Sequence, residues 1–166
     1  MSKQYSFVTT WHVAADVKAV WQAVIHVEQW PEWWPSVRSV VAVAEGDERG
    51  IGAASRFTWQ GKLPYRLSFE MRVSRLEPYQ LLEGKATGDL EGSGVWRFLP
   101  EGSTTRIRYE WVVTTRKRWM NLLAPLLQPV YRWSHDQVMA EGGAGLAKHL
   151  HCELLDMGHE SEATAP

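Results

Sequence analysis

Residues 65–74 read YRLSFEMRVS, and they alternate between two kinds of side chain. The odd-numbered positions are aromatic or aliphatic, whereas the even-numbered positions are Arg, Ser or Glu. Because successive side chains of a β-strand point to opposite faces, this alternation predicts a strand with one buried and one solvated face. Residues 104–115 show a similar alternation. The sequence therefore predicts an antiparallel sheet that needs a cover on one face only.

Further strands are predicted on both sides of this segment. Runs rich in β-branched and aromatic residues occur near residues 5–12, 37–45, 52–60, 81–89 and 93–99. Short segments such as EGDERG, QGKLP, EPYQ and PEGS separate neighbouring runs and contain the Gly, Pro and Asp typical of tight turns. None of these connections is long enough for a helical crossover, so the strands are expected to pair as an antiparallel meander.

Three segments have helical character. From Ala15, apolar residues recur at three- and four-residue spacing, which predicts an amphipathic helix. The string EQWPEWWP (28–35) leaves room for only a short helical turn between its prolines. A long apolar segment from Lys117 to His151 predicts the cover for the sheet, and Pro125 and Pro129 are expected to kink or break its first part.

The order of these elements is strand, helix, short helix, six strands and long helix. This order predicts an α+β fold, in which a seven-stranded curved antiparallel sheet wraps around the C-terminal helix. The length of 166 residues fits one domain, which we place at residues 1–155. Residues 156–166 are short, polar and without periodicity, so we expect a mobile C-terminal tail.

Composition excludes several functions. The formal net charge of -1 gives no general attraction to nucleic acid. Cys152 is the only cysteine, which argues against a disulfide and favours a reducing, cytoplasmic location. The sequence contains no stretch of 18 uncharged apolar residues, so it predicts no transmembrane segment. No phosphate-binding loop or metal-binding motif occurs, so we expect neither a cofactor nor a metal.

Several longer strings carry a family resemblance. They are VKAVWQAVIHVEQWPEWWPSV, LPYRLSFEM, ATGDLEGSGVW, TTRIRYEWVV and HDQVMAEGGAGLAKHL. Over roughly residues 3–152 the chain resembles the START-like (SRPBCC) superfamily, which includes polyketide cyclases, Bet v 1-type allergens and lipid-transfer START domains. It looks most similar to the polyketide cyclase/dehydrase branch. The resemblance implies a helix-grip fold with a deep cavity between the sheet and the terminal helix.

Residues on the predicted inner faces are candidates for binding a small hydrophobic or aromatic molecule in such a cavity. Tyrosine and tryptophan combine an apolar body with one polar group and can orient an oxygenated aromatic ligand, although the same residues also fit a plain core. The candidates are Trp59, Tyr65, Leu67, Phe69, Met71, Gly84, Ala86, Trp96, Tyr109, Trp111, Trp133, Val138, Met139 and Gly142.

Three functions remain open at this stage. The first is binding of a lipid, isoprenoid or polyketide-like molecule without catalysis. The second is a cyclase or aromatase, in which His135, Asp136 or Tyr109 moves protons during aldol closure and dehydration. A third hypothesis is an interaction module that docks through Trp30, Trp33 and Trp34. The sequence leaves the oligomeric state open between monomer and homodimer.

Overall fold

Apolar faces predicted from alternation and helical spacing meet around one long helix. The computed structural model describes residues 4–162. Helices α1 (Val17–Ile25) and α2 (Trp30–Trp33) follow the first strand, and α3 (Arg118–His149) follows the seventh. The strands are β1 (Gln4–Val13), β2 (Val37–Ala44), β3 (Ala54–Trp59), β4 (Leu67–Glu77), β5 (Leu81–Gly88), β6 (Leu90–Glu101), β7 (Thr104–Thr115) and β8 (Leu154–Glu162).

All eight strands form one antiparallel sheet in the order β2-β3-β4-β5-β6-β7-β1-β8. The consecutive order from β2 to β7 is the predicted meander. The chain's first strand adds to the end of the meander, where β1 pairs with β7 from Gln4↔Thr114 to Val13↔Thr105. The predicted α+β class, with a curved sheet around a C-terminal helix, is confirmed.

The strand count differs from the prediction at the C-terminus. The sequence predicted seven strands and a tail from residue 156, but residues 154–162 form β8. This strand pairs with β1 from Val13↔Leu154 to Ser6↔Glu162. The segment LLDMGHESE shows little alternation, and backbone pairing with the otherwise open edge of β1 explains the strand instead. Residues 163–166 of the expected tail lie outside the described residues.

Helix α3 continues through both of its prolines. The sequence predicted a kink or a break at Pro125 and Pro129, and the structure has a single 32-residue helix from Arg118 to His149 without a break. Buried Ala124 and Tyr131 flank the two prolines and hold this part of the helix against the sheet. No helix among residues 4–162 is long and apolar enough to cross a membrane.

Glycines allow the second half of α3 to approach the tryptophan cluster closely. A Cβ atom at Gly142 would overlap the indole of Trp34, and one at Gly145 would overlap the backbone carbonyl oxygen of Trp33. Glycine costs a helix about 1 kcal/mol relative to alanine. The close contact with the tryptophans is the structural reason for that cost at both positions.

The EQWPEWWP segment is packed inside the protein. Trp30, Trp33 and Trp34 are all buried, and Trp34 is only 1% exposed. The Trp34 indole Nε1 donates a hydrogen bond to the Val138 carbonyl oxygen at 2.8 Å, which ties this segment to α3. These rings have no free surface for a partner, so the interaction-module hypothesis is wrong.

Candidate functional site

A cavity of about 550 Å³ lies between the concave face of the sheet and α3. Its volume is within the range of small-molecule sites, roughly 300–1,000 Å³. The apolar row of the YRLSFEMRVS segment, from Tyr65 to Val73, lines one side of the cavity. The strand phase read from the sequence therefore agrees with the face that surrounds the cavity.

A stack of aromatic rings from β6 and β7 forms another part of the wall. The Tyr109 ring is stacked between Trp96, at a centroid distance of 4.1 Å, and Trp111, at 5.9 Å. The Tyr109 hydroxyl lies over Gly94, where a Cβ atom would come within 2.6 Å of it. Burial raises the pKa of Tyr109, so its hydroxyl stays protonated and can donate a hydrogen bond.

His135 lies on the cavity-facing side of α3. Its imidazole lines the cavity and stacks on Phe7 of β1 at 3.9 Å. Burial lowers the pKa of His135, because removing the ring from water disfavours its charged form. The imidazole is therefore neutral at pH 7 and able to accept a proton.

Asp136 differs from its neighbour because it does not line the cavity. Its side chain is partly exposed, and its Oδ1 lies 3.7 Å from His135 Nδ1 and 3.8 Å from His159 Nδ1. The adjacent His135 lowers the pKa of Asp136, so the carboxylate is ionised at neutral pH. Asp136 therefore stands behind the imidazole, on the side away from the cavity.

Polar groups gather near His135 at the α3 side of the cavity. Tyr5 and Tyr131 are both buried, and neither hydroxyl has a hydrogen-bond partner. Their rings meet edge to face at 6.4 Å. Burial raises the pKa of Tyr65, and a hydrogen bond with Ser134 partly opposes this increase. Tyr5, Tyr131, Tyr65, Ser134 and His135 all line the cavity, and we call them the polar cluster.

Unpaired buried polar atoms are uncommon in proteins, because each costs the free energy of a lost hydrogen bond to water. Seven buried side-chain polar atoms of the described residues lack a hydrogen-bond partner, and three of them belong to residues that do not line the cavity, namely Trp11, Trp33 and Asn121. The other four are the two tyrosine hydroxyls, Trp59 Nε1 and His135 Nδ1. All four residues line the cavity. A ligand oxygen close to Tyr5 and Tyr131 would supply a partner for their hydroxyls.

Charged side chains occur only towards the rim. Arg49 and Arg72 line the cavity but are exposed, and Arg72 also pairs with Glu70 at 3.0 Å. Glu83 is half-buried and lies 3.5 Å from Lys85. The inner wall offers no fixed charge to an ionic ligand.

The structure separates the predicted ligand-binding residues into two groups. Ala86 is buried but does not line the cavity, Gly142 faces Trp34, and Trp133 is 46% exposed on the outer side of α3. These three are not at the cavity surface. The predicted residues that do line it are Trp59, Tyr65, Leu67, Phe69, Met71, Gly84, Trp96, Tyr109, Trp111, Val138 and Met139.

The sequence analysis missed Tyr5, Tyr131 and Ser134 as site residues. One signal was available for Tyr131, because it precedes His135 by four positions and so shares its helix face. Tyr5 was also indicated, because residues 5–12 alternate and place it on the aromatic face of the first strand. Its role as a neighbour of Tyr131 depends on β1 pairing with the end of the meander, next to α3.

Comparisons with known proteins agree with this geometry. A family model described as "Polyketide cyclase / dehydrase and lipid transport" matches residues 4–154. A comparison with curated proteins gives no significant match.

Solved structures share the fold at low sequence identity. The Zhui aromatase/cyclase from Streptomyces sp. R1128 superimposes with a TM-score of 0.73 at 16% identity, covering 89% of this chain and 94% of that one. A START superfamily protein from Mycobacterium smegmatis gives 0.72 at 13% identity, covering 89% and 97%. A norcoclaurine synthase from Thalictrum gives 0.59 at 14% identity, covering 91% and 96%. At these identities the likeness shows the fold alone.

Proposed function

Because this chain belongs to the polyketide cyclase/dehydrase and lipid transport family, we propose that it binds a small, uncharged, oxygen-bearing aromatic molecule in the cavity under α3. The family and its aromatase/cyclase neighbours support a role in hydrophobic ligand binding or polyketide cyclisation. The START-like resemblance noted in the sequence is confirmed by the same comparisons.

The observation that carries the proposal is the combination of an aromatic wall with buried, unpaired polar atoms. Burying an apolar ligand against this wall contributes about 25 cal/mol per Å² of apolar surface removed from water. The polar cluster then favours a ligand whose oxygen meets Tyr131 or Tyr5. A carboxylate or phosphate would lose its hydration without gaining a cation, which is costly in an apolar interior.

A pair of probes tests this proposal. We expect 2-naphthol and naphthalene both to bind, because each fits the aromatic wall. Tyr131→Phe should weaken 2-naphthol binding about 3- to 10-fold, since a net hydrogen bond contributes about 0.5–1.5 kcal/mol. The same substitution should leave naphthalene binding unchanged. Titration calorimetry for 2-naphthol, with naphthalene as a competitor, measures both affinities.

The exposed Tyr79 provides a matched control. Tyr79→Phe also removes one hydroxyl, but Tyr79 does not line the cavity, so both affinities should stay at wild-type values. Failure of either probe to bind would contradict a ligand-binding cavity. An equal loss of both probes in Tyr131→Phe would contradict the proposed hydrogen bond.

The polar cluster also favours a second candidate function, proton transfer next to a ketone as in aldol cyclisation. His135 is neutral, faces the cavity and has the ionised Asp136 at 3.7 Å from Nδ1 to stabilise its protonated form. A protonated tyrosine hydroxyl nearby can donate to the enolate oxygen. The imidazole would take the proton from the carbon next to the carbonyl, and the C–H electrons would pass to the carbonyl oxygen.

Deuterium exchange separates a catalyst from a carrier. With 2-acetonaphthone in D₂O, a catalytic protein should speed exchange of the methyl protons. The exchange rate should fall as the pH drops through a His135 pKa below its ordinary 6.5, because the protonated imidazole is not a base. His135→Phe should lower the rate at least tenfold, since general-base catalysis contributes about 100-fold or more.

The exposed His151 offers a control for this measurement, and His151→Asn should exchange at the wild-type rate. If wild type and His135→Phe exchange equally while both bind the ketone, His135 has no catalytic role and the binding function stands alone.

A further inference from the structure

The first half of α3 carries an apolar stripe on its solvent side. Leu122 and Leu126 are 80% and 76% exposed. Spacings of three and four residues place the stripe on one helix face. Contiguous exposed apolar patches usually mark an interaction site. We call these residues the outer stripe: Trp119, Leu122, Leu123, Leu126, Val130 and Trp133.

The outer stripe is not needed to hold the helix on the sheet. A different face of the same segment supplies the core contacts, through the buried side chains of Met120, Ala124 and Tyr131. Leaving large apolar side chains in water carries a free-energy cost that the fold itself does not recover. A partner surface that covers the outer stripe would remove this free-energy cost.

Charge around the outer stripe is positive. Arg116, Lys117 and Arg118 precede it and Arg132 lies near its end, while residues 116–135 contain no Asp or Glu. Acidic groups nearby offset part of this charge. Glu91 lies 3.3 Å from Arg116, and Asp89 lies 3.3 Å from Lys117.

Asp136 is the acidic group at the other end, where it interacts with Arg132. At the start of the helix, three basic residues lie near two acidic ones, and the excess of positive charge favours an anionic partner.

The aromatic residues of the outer stripe lie at its two ends. Trp119 and Trp133 are 14 positions apart, which is about 21 Å along a helix. Leucine and valine occupy the middle. Tryptophan favours the boundary between lipid headgroups and acyl chains, and helices that lie in this boundary combine a Trp- and Leu-rich face with a basic flank. A second copy of this chain would instead bring the same positive charge.

The outer stripe also lies beside the cavity. Tyr65 lines the cavity, and its ring meets the Trp119 ring edge to face at a centroid distance of 5.6 Å. A surface that binds the stripe would therefore be next to the cavity wall. This position suits a protein whose ligand partitions into lipid.

We propose that the outer stripe binds the surface of an anionic phospholipid bilayer, with the first half of α3 lying in the plane of the headgroups. The inference goes beyond ligand binding, because it assigns a partner to a surface that the cavity does not use. The helix lies on the bilayer and does not cross it.

Vesicle sedimentation tests the proposal with the full chain. We expect binding to vesicles of 30% phosphatidylserine in phosphatidylcholine, with weaker binding to pure phosphatidylcholine and a decrease as NaCl is raised. The double substitution Leu122→Glu and Leu126→Glu should lower the partition coefficient at least tenfold. Val41 and Leu99 are also exposed but lie elsewhere, so Val41→Glu with Leu99→Glu is the matched control and should bind like wild type.

Two further readouts make the outcome decisive. All variants should bind 2-naphthol with wild-type affinity, which shows that they are folded and separates this test from the cavity proposal. Absence of vesicle binding by wild type, or equal binding by the stripe variant, would overturn the proposal. A dimer in analytical ultracentrifugation that the stripe substitutions dissociate, without vesicle binding, would assign the stripe to a second copy and overturn it as well.

Discussion

Replacing Gly84 with phenylalanine is expected to lower the affinity for 2-naphthol at least about 100-fold, which corresponds to roughly 2.7 kcal/mol. Gly84 lies in β5, opposite Val73 of β4 and Gly94 of β6, and faces the cavity. The nearest atom to a Cβ there would be Met71 Cε, the end of a flexible side chain, at 2.9 Å. A benzyl group at this position therefore enters the space that the ligand needs.

The neighbouring strand position supplies the control. Lys85 is exposed on the opposite face of β5, so Lys85→Phe adds the same side chain outside the cavity and should bind 2-naphthol like wild type. Circular dichroism should show native spectra for both variants. Wild-type affinity in a folded Gly84→Phe variant would mean that the probe binds somewhere else.

Replacing Trp34 with alanine is expected to lower the free energy of unfolding by about 3–5 kcal/mol, the usual cost of removing a fully buried tryptophan. The indole packs edge to face on Trp59 at 4.9 Å and on Trp11 at 5.4 Å. It also donates a hydrogen bond to the carbonyl oxygen of Val138 and fills the space left by Gly142. Its loss removes one of the links between the segment around the short helix and α3.

Trp133 gives a comparison within α3 itself. Its side chain is largely outside the core, so Trp133→Ala should lower the unfolding free energy by less than about 1 kcal/mol. Urea denaturation followed by circular dichroism measures both variants. A similar loss for the two tryptophans would show that the packing around Trp34 does not stabilise the fold as described.

The parts of the fold that follow from local pattern were predictable. The alternation in YRLSFEMRVS gave the correct inner face of β4, because a strand's period of two leaves only one other phase. The same reasoning placed Tyr109 and Trp111 on the cavity side of β7. The α+β arrangement with the sheet around the terminal helix also followed, because a sheet with one apolar face requires a cover and only one long helix was available.

The orientation of α3 was less accessible from the sequence. Between Trp119 and Met139 the helix has large apolar residues on both its inner and outer sides, so periodicity alone does not choose the buried face. Trp133 was assigned to the cavity for this reason, whereas the structure places it in the outer stripe. Ala86 and Gly142 were misplaced because small residues serve close packing and open space equally well.

Long-range pairing was the other source of error. Strand β8 exists because β1 offers a free edge, which is a property of the assembled sheet and not of the segment LLDMGHESE. The polar cluster has the same origin. Tyr5 and Tyr131 are far apart in the chain, and their hydroxyls meet the cavity only after β1 joins β7 beside α3.

A crystal structure determined under xenon pressure tests the central claim most directly, because empty apolar protein cavities take up xenon. We expect electron density for xenon, or for a molecule retained from the host, in contact with Trp59, Tyr109 and Val138 between the sheet and α3. Side chains packed solidly across this space, with no guest density, would contradict the account.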